Sequence, residues 1–182
     1  MARTNKGDWI ESGLVLLRTA GEHALTIDRL CTALGRTKGA FYHHFESADA
    51  FASALLEAWE ERHTEAPIDV ASREDSLAAR RRTLDATVNA LDWPLDLAVR
   101  GWALRDHNAR VVVSRVDARR IAYLESLLPR TLPRARRTAI ATLEYAAFLG
   151  AMQLDPQRTE NKPMRDAERL LYEVLAQWMP RE

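Results

Sequence analysis

The chain has 182 residues, enough for one or two domains with a sizeable buried core. Its 26 Lys and Arg balance 26 Asp and Glu, which excludes a uniformly basic coat, so any nucleic-acid contact must come from a local patch. With 47% apolar residues, seven glycines, seven prolines and few β-branched runs outside Val111-Val112-Val113, the composition favours an all-α fold.

The one cysteine, Cys31, permits no internal disulfide and fits a reducing, cytoplasmic setting. The Met-Ala-Arg-Thr-Asn-Lys start lacks an apolar secretory core. No apolar run approaches the roughly 20 residues of a membrane span.

Residues 1–8 read as a polar arm carrying Arg3 and Lys6, either frayed or touching DNA phosphate or a minor groove. A first helix is expected over Trp9–Ala20, with Asp8 as cap and Gly21 as its terminator; Ile10, Leu14 and Leu17 form its stripe. Thr26 is the next cap. Ile27, Leu30, Cys31 and Leu34 follow at i, i+3, i+4, i+7, and Gly35 stops the helix. After the turn at Arg36, Thr37 caps a short helix, Lys38–His44.

Two helices joined by a glycine-containing turn of about four residues form a helix-turn-helix unit. Its second helix normally enters the major groove with its N-terminal residues at the base edges. Here those residues are Thr37, Lys38, Gly39 and Ala40, small apart from Lys38, with N–H groups free for phosphate. Phe41 and Phe45 should face inward, leaving Arg36, Lys38, Tyr42, His43 and, at the edge, His44 outside. No acidic residue lies between Leu34 and Phe45, so this face reads as locally cationic.

Gly21 and the string LTIDRLCTALGRTKGAFYHHF resemble the DNA-binding signature of the TetR family of transcriptional repressors. The shared features are the helix-ending glycine, Thr-hydrophobic opening the second helix, and small residues near the turn. Lys-Gly before the aromatic pair and the closing Tyr-His-His-Phe complete the string. The resemblance covers roughly residues 9–60, and it implies an N-terminal three-helix DNA-binding domain, 1–46, ahead of a helical regulatory and dimerisation domain, 47–182. The residues expected to meet DNA are Thr26, Arg36, Thr37, Lys38, Gly39, Ala40, Tyr42, His43 and His44. Two departures stand out. Glu46-Ser47-Ala48-Asp49-Ala50 places Ala48 or Asp49 where the family commonly has a phosphate-binding lysine, and Leu34 stands where it often has a smaller residue.

A fourth helix is expected over 47–63, capped by Ser47, striped by Phe51, Leu55, Ala58 and Trp59, and closed by Pro67; the resemblance makes it the connector between head and body. Residues 64–72 are the candidate domain boundary. Helices are then expected over Ser72–Leu91, over Trp93-Pro94 to Leu104, and over Ala109–Leu128, with Asp106-His107-Asn108 as a turn. Pro133–Leu154 and Pro163–Met179 complete about nine helices. Ala139, Leu143, Ala146, Ala147, Gly150 and Ala151 leave the former open to close approach.

The resemblance implies a homodimer paired through 133–154 and 163–179, a palindromic operator, and release by a small-molecule effector. The effector pocket is expected among helices four to eight, with Trp59, Trp102, Tyr123 and Phe148 as aromatic candidates and Arg81 or His107 as polar anchors. Ordinary core packing accounts for the same aromatics. No nucleophile elbow, phosphate loop or H-E-x-x-H pattern marks an enzyme, and no cofactor or metal is expected. The competing reading is an interaction module that kept the fold but binds operator weakly or not at all.

Overall fold

The computed structural model describes residues 4–155 and, beyond them, Asp166, Arg169, Leu170, Glu173 and Val174. Among these residues nine α-helices are joined by short turns. They gather into two compact units: residues up to Glu65 with Pro94–Ser114, and Ala66–Trp93 with residues from Arg115 onward.

The first unit opens on α1, Lys6–Ala20. Its start lies earlier than the sequence suggests, because Asn5 and Asp8 form a reciprocal capping box: the Asp8 N–H donates to Asn5 Oδ1 and the Asn5 N–H to the Asp8 carboxylate, at 3.1 and 2.7 Å. Asp8 is therefore the third helical residue and not the cap, and Lys6 belongs to the helix rather than to an arm. Arg3 lies outside the described residues.

A one-turn 3-10 helix, Glu22–Ala24, leads to α2, Ile27–Leu34, and α3, Lys38–Tyr42. Thr26 and Thr37 cap them, accepting from the Arg29 and Ala40 N–H groups. Gly35 ends α2 at φ 61°, ψ 42°, the left-handed conformation that favours glycine, and the Arg36 N–H reaches back to the Cys31 carbonyl at 2.9 Å.

α4, Ala48–Glu60, is capped by Ser47. It lies against Gly13 of α1, where a Cβ would come within 2.6 Å of Phe51 and 2.8 Å of Leu55. The core of this unit joins Trp9, Leu14 and Leu17 to Leu30, Phe41, Phe45, Phe51, Leu55 and Trp59, all buried. Each such side chain contributes roughly 1.5–3 kcal/mol by leaving water. Leu95, Val99, Trp102 and Ala103 from α7, Trp93–Ala103, are buried as well.

The fourth helix differs from expectation at its end. α4 stops at Glu60, Glu61–Glu65 form a π turn, and α5, Ala66–Ser72, follows directly, with Pro67 near its start and buried. Proline has no N–H to donate and its ring crowds the carbonyl four residues back, here that of His63. A widened turn at that place replaces the regular ladder that Pro67 cannot continue. The turn buries His63 and Thr64. His63 Nδ1 lies 3.8 Å from Asp96 Oδ1, and Arg100 Nε donates to Asp96 Oδ2 at 2.9 Å.

The second unit begins with α5. The helix expected over Ser72–Leu91 is two helices: α5 ends at Ser72, and α6 spans Leu77–Asn89 under a Ser76 cap. Leu77 is consequently exposed at the first helical position. Back in the first unit, Asp106 is also a cap rather than part of a turn, accepting from the Ala109 N–H at 2.7 Å, so that His107 opens α8, His107–Ser126, whose residues from Arg115 belong to the second. α9, Arg134–Leu154, starts after Pro133. Ile68, Ala71, Leu84, Tyr123 and Leu127 form one apolar cluster here, and Leu128, Leu132, Ile140 and Ala141 another. Of the expected helix over 163–179, only Asp166, Arg169, Leu170, Glu173 and Val174 are described, and each is helical; the rest lies outside the described residues.

Candidate nucleic-acid interface

The short helix α3 is held by one side chain. Phe41 is fully buried, edge-on to Trp9 at 5.5 Å and to Phe51 at 5.4 Å, with the Phe45 ring 5.3 Å away. A single fixed face dictates the other. Tyr42 is 54% exposed, and Thr37, Lys38, Gly39 and His43 are exposed beside it. Ala40 and Arg36 are half-buried. Gly39 has no steric duty in the fold: a Cβ would meet only Thr37 Oγ1, at 3.8 Å. Its absence leaves the backbone open to approach from outside.

Thr26 and Thr37 are exposed, with their hydroxyl oxygens already engaged as helix caps. A hydroxyl that accepts from its own helix retains its proton for a second partner.

Two residues that the sequence reading missed shape this surface. The first is Thr4. Its hydroxyl accepts from Arg36 Nε, and its carbonyl lies 3.2 Å from His44 Nε2. The chain ahead of α1 is thereby tied to both ends of α3, while Lys6 Nζ sits 5.3 Å over the Phe45 ring. His44 is accordingly half-buried, and its ring also lies 6.5 Å from that of Trp9.

The second is Asp28, on α2, whose Oδ1 lies 2.8 Å from Lys38 Nζ. The hydrogen bond to this carboxylate, with its charge, lifts the Lys38 ammonium above its ordinary range. The expected cationic face is therefore modified: the stretch from Leu34 to Phe45 holds no acid, but an acid ten positions before Lys38 reaches it across the turn. No local periodicity signals that pairing. The acids Glu46 and Asp49 at the start of α4 are exposed, as the sequence suggests.

The effector candidates fall in both units. Trp59 and Trp102 are buried in the first, where the Trp59 ring lies 6.3 Å from that of His63; His107 is exposed in the same unit. Arg81, Tyr123 and Phe148 belong to the second. Arg81 pairs with buried Glu144. Tyr123 accepts from Ser72 Oγ at 3.2 Å. Phe148 stacks on Tyr145 at 6.3 Å and meets Trp93 edge-on at 5.5 Å. Among the described residues no group of His, Cys, Asp and Glu is placed to hold a metal, and no helix is long and apolar enough to cross a membrane.

Comparison with known proteins locates the same segment. Residues 10–55 match the model for bacterial regulatory proteins of the tetR family. None of the curated proteins compared by sequence matches the chain. A TetR transcriptional regulator from Legionella pneumophila is similar in structure, with a TM-score of 0.78 at 12% identity, covering 96% of this chain and 99% of that one. A putative regulator of the TetR/AcrR family gives 0.77 at 19% identity, over 93% and 97%. The reduced form of NemR from E. coli gives 0.72 at 20%, over 93% and 96%. At these identities the likeness is one of fold.

Proposed function

For a chain whose residues 10–55 belong to the tetR family of bacterial regulatory proteins and whose fold is that of TetR regulators, we propose the role of an effector-controlled transcriptional repressor. In this reading α3 lies in the major groove, with Thr37, Lys38 and Gly39 at the base edges and Tyr42 and His43 toward the backbone. The observation that carries it is the division of α3, with Phe41 fully buried and Lys38 and Tyr42, one turn apart, exposed together with His43 at the helix end. A homodimer, paired through α9 and the segment 163–179, presents two such helices to a palindromic site. An effector bound in the helical body releases the DNA, and linkage makes the two ligands mutually antagonistic. Arg81, Tyr123 and Phe148 in one unit, and Trp59, Trp102 and His107 in the other, remain the effector candidates.

Lys38→Ala and Tyr42→Phe test the interface. Both should weaken binding to duplex DNA while leaving helicity and the thermal transition unchanged, measured by fluorescence anisotropy and circular dichroism. Loss of the thermal transition in either variant would show that the side chain supports the fold instead.

Exposed Glu46 and Asp49, where phosphate would approach, favour a second reading: a module with the same fold that engages a protein. Salt separates the two. Phosphate-dependent binding weakens steeply as salt rises, with a slope set by the number of phosphates neutralised. A chain that binds no duplex even at low salt fits the second reading.

A further inference from the structure

The pair Asp28–Lys38 joins the first turn of α2 to the first position of α3, and both side chains are open to solvent, 74% and 60% exposed. The fold does not require it. The Asp28 carbonyl, not its carboxylate, accepts from Thr32 Oγ1 at 2.9 Å, and Thr26 already caps α2. What the carboxylate does is hold the one lysine of α3 at 2.8 Å, on the face where the proposed reading puts DNA. Around it, Arg36 Nε is bound to Thr4 and Lys6 lies over Phe45. The chain as a whole has no net charge to draw in a polyanion.

We infer that Asp28 competes with DNA for Lys38, lowering the affinity for duplexes of any sequence and so restraining binding that rests on phosphate charge alone. The inference rests on the DNA-reading role of α3. A phosphate that takes Lys38 must displace a carboxylate that is tethered and always present, and the freed carboxylate then stays within a Debye length of the backbone, about 10 Å at 0.1 M salt. Non-specific binding depends almost wholly on such charge contacts. Asp28 therefore weighs directly on the mode of binding that a regulator has to suppress.

The test uses the full-length protein, a labelled random-sequence duplex and four forms: wild type, Asp28→Asn, Lys38→Ala and the double variant. Asparagine keeps the shape at an exposed site, and circular dichroism checks that helicity is retained. Asp28→Asn should bind roughly three- to tenfold more tightly at about 0.1 M salt, and should steepen the dependence of log K on log salt by up to about one. Most of that gain should vanish in the Lys38→Ala background. Unchanged or weaker binding by Asp28→Asn overturns the inference, as does a gain that survives intact without Lys38, which would mark a general charge effect. If neither wild type nor Asp28→Asn binds duplex at low salt, the DNA-reading role falls and the inference with it; that outcome is distinct from one in which both bind equally.

Discussion

Phe41 and Tyr42 are neighbours in the chain and differ in burial, one fully buried and one 54% exposed, although their rings meet edge-on at 5.5 Å. That split is legible from sequence, because Phe41 and Phe45 are one helical turn apart and cannot share a face with Tyr42. Its energetic consequence follows from the structure: Phe41 meets Trp9, Phe45 and Phe51, so Phe41→Ala removes the central ring of an aromatic cluster. Chemical denaturation should show a loss of roughly 3–5 kcal/mol. A loss below about 1 kcal/mol would mean that the cluster collapses around the cavity, and that α3 is held elsewhere. Asp28 and Thr4 were not legible in the same way. Asp28 meets Lys38, and Thr4 meets Arg36 and His44, only after two turns and a helix have been placed. Residue pairing over such distances leaves no periodic trace.

At the level of elements, the helices that open the chain were readable because their caps are local. Thr26, Thr37 and Ser47 each bond to the backbone three residues on, and Gly21 and Gly35 stand at the helix ends. The stretch 60–77 was not readable, for a physical reason. Pro67 looked like a terminator, but a π turn ahead of it lets helix follow, and the break falls instead at Arg73–Asp75, before the Ser76 cap.

The facing of α6 and α9 was hidden too, because it is polar: Arg81 pairs with buried Glu144, and Asp85 lies one turn from Arg81. Burial, reinforced by the negative charge of Glu144 and opposed by Arg81, pushes the Asp85 carboxyl above its ordinary range. The folded state therefore holds that proton more tightly than the unfolded chain does. Asp85 subtracts stability once the pH rises past the ordinary carboxylate value of about 4, and subtracts nothing well below it. Asp85→Asn should melt higher than wild type at pH 7, with the difference closing as pH falls through that range. A variant that melts lower at pH 7 would show that the attraction to Arg81 outweighs the burial.

For the molecule as a whole, neutrality is the governing fact. A chain with 26 positive and 26 negative side chains has no net charge to draw in DNA, so attraction has to come from a local patch. That patch carries Lys38 with Asp28 against it, and Glu46 and Asp49 close behind in sequence. Attraction to arbitrary duplex should therefore be modest, and dependence on the right bases strong. Selection from a random duplex pool by the full-length protein, followed by sequencing of the bound fraction, tests this most directly. An inverted repeat with half-sites about 10–10.5 base pairs apart, centre to centre, should be enriched, and the enrichment should be lost with Lys38→Ala. A bound fraction indistinguishable from the starting pool would contradict it.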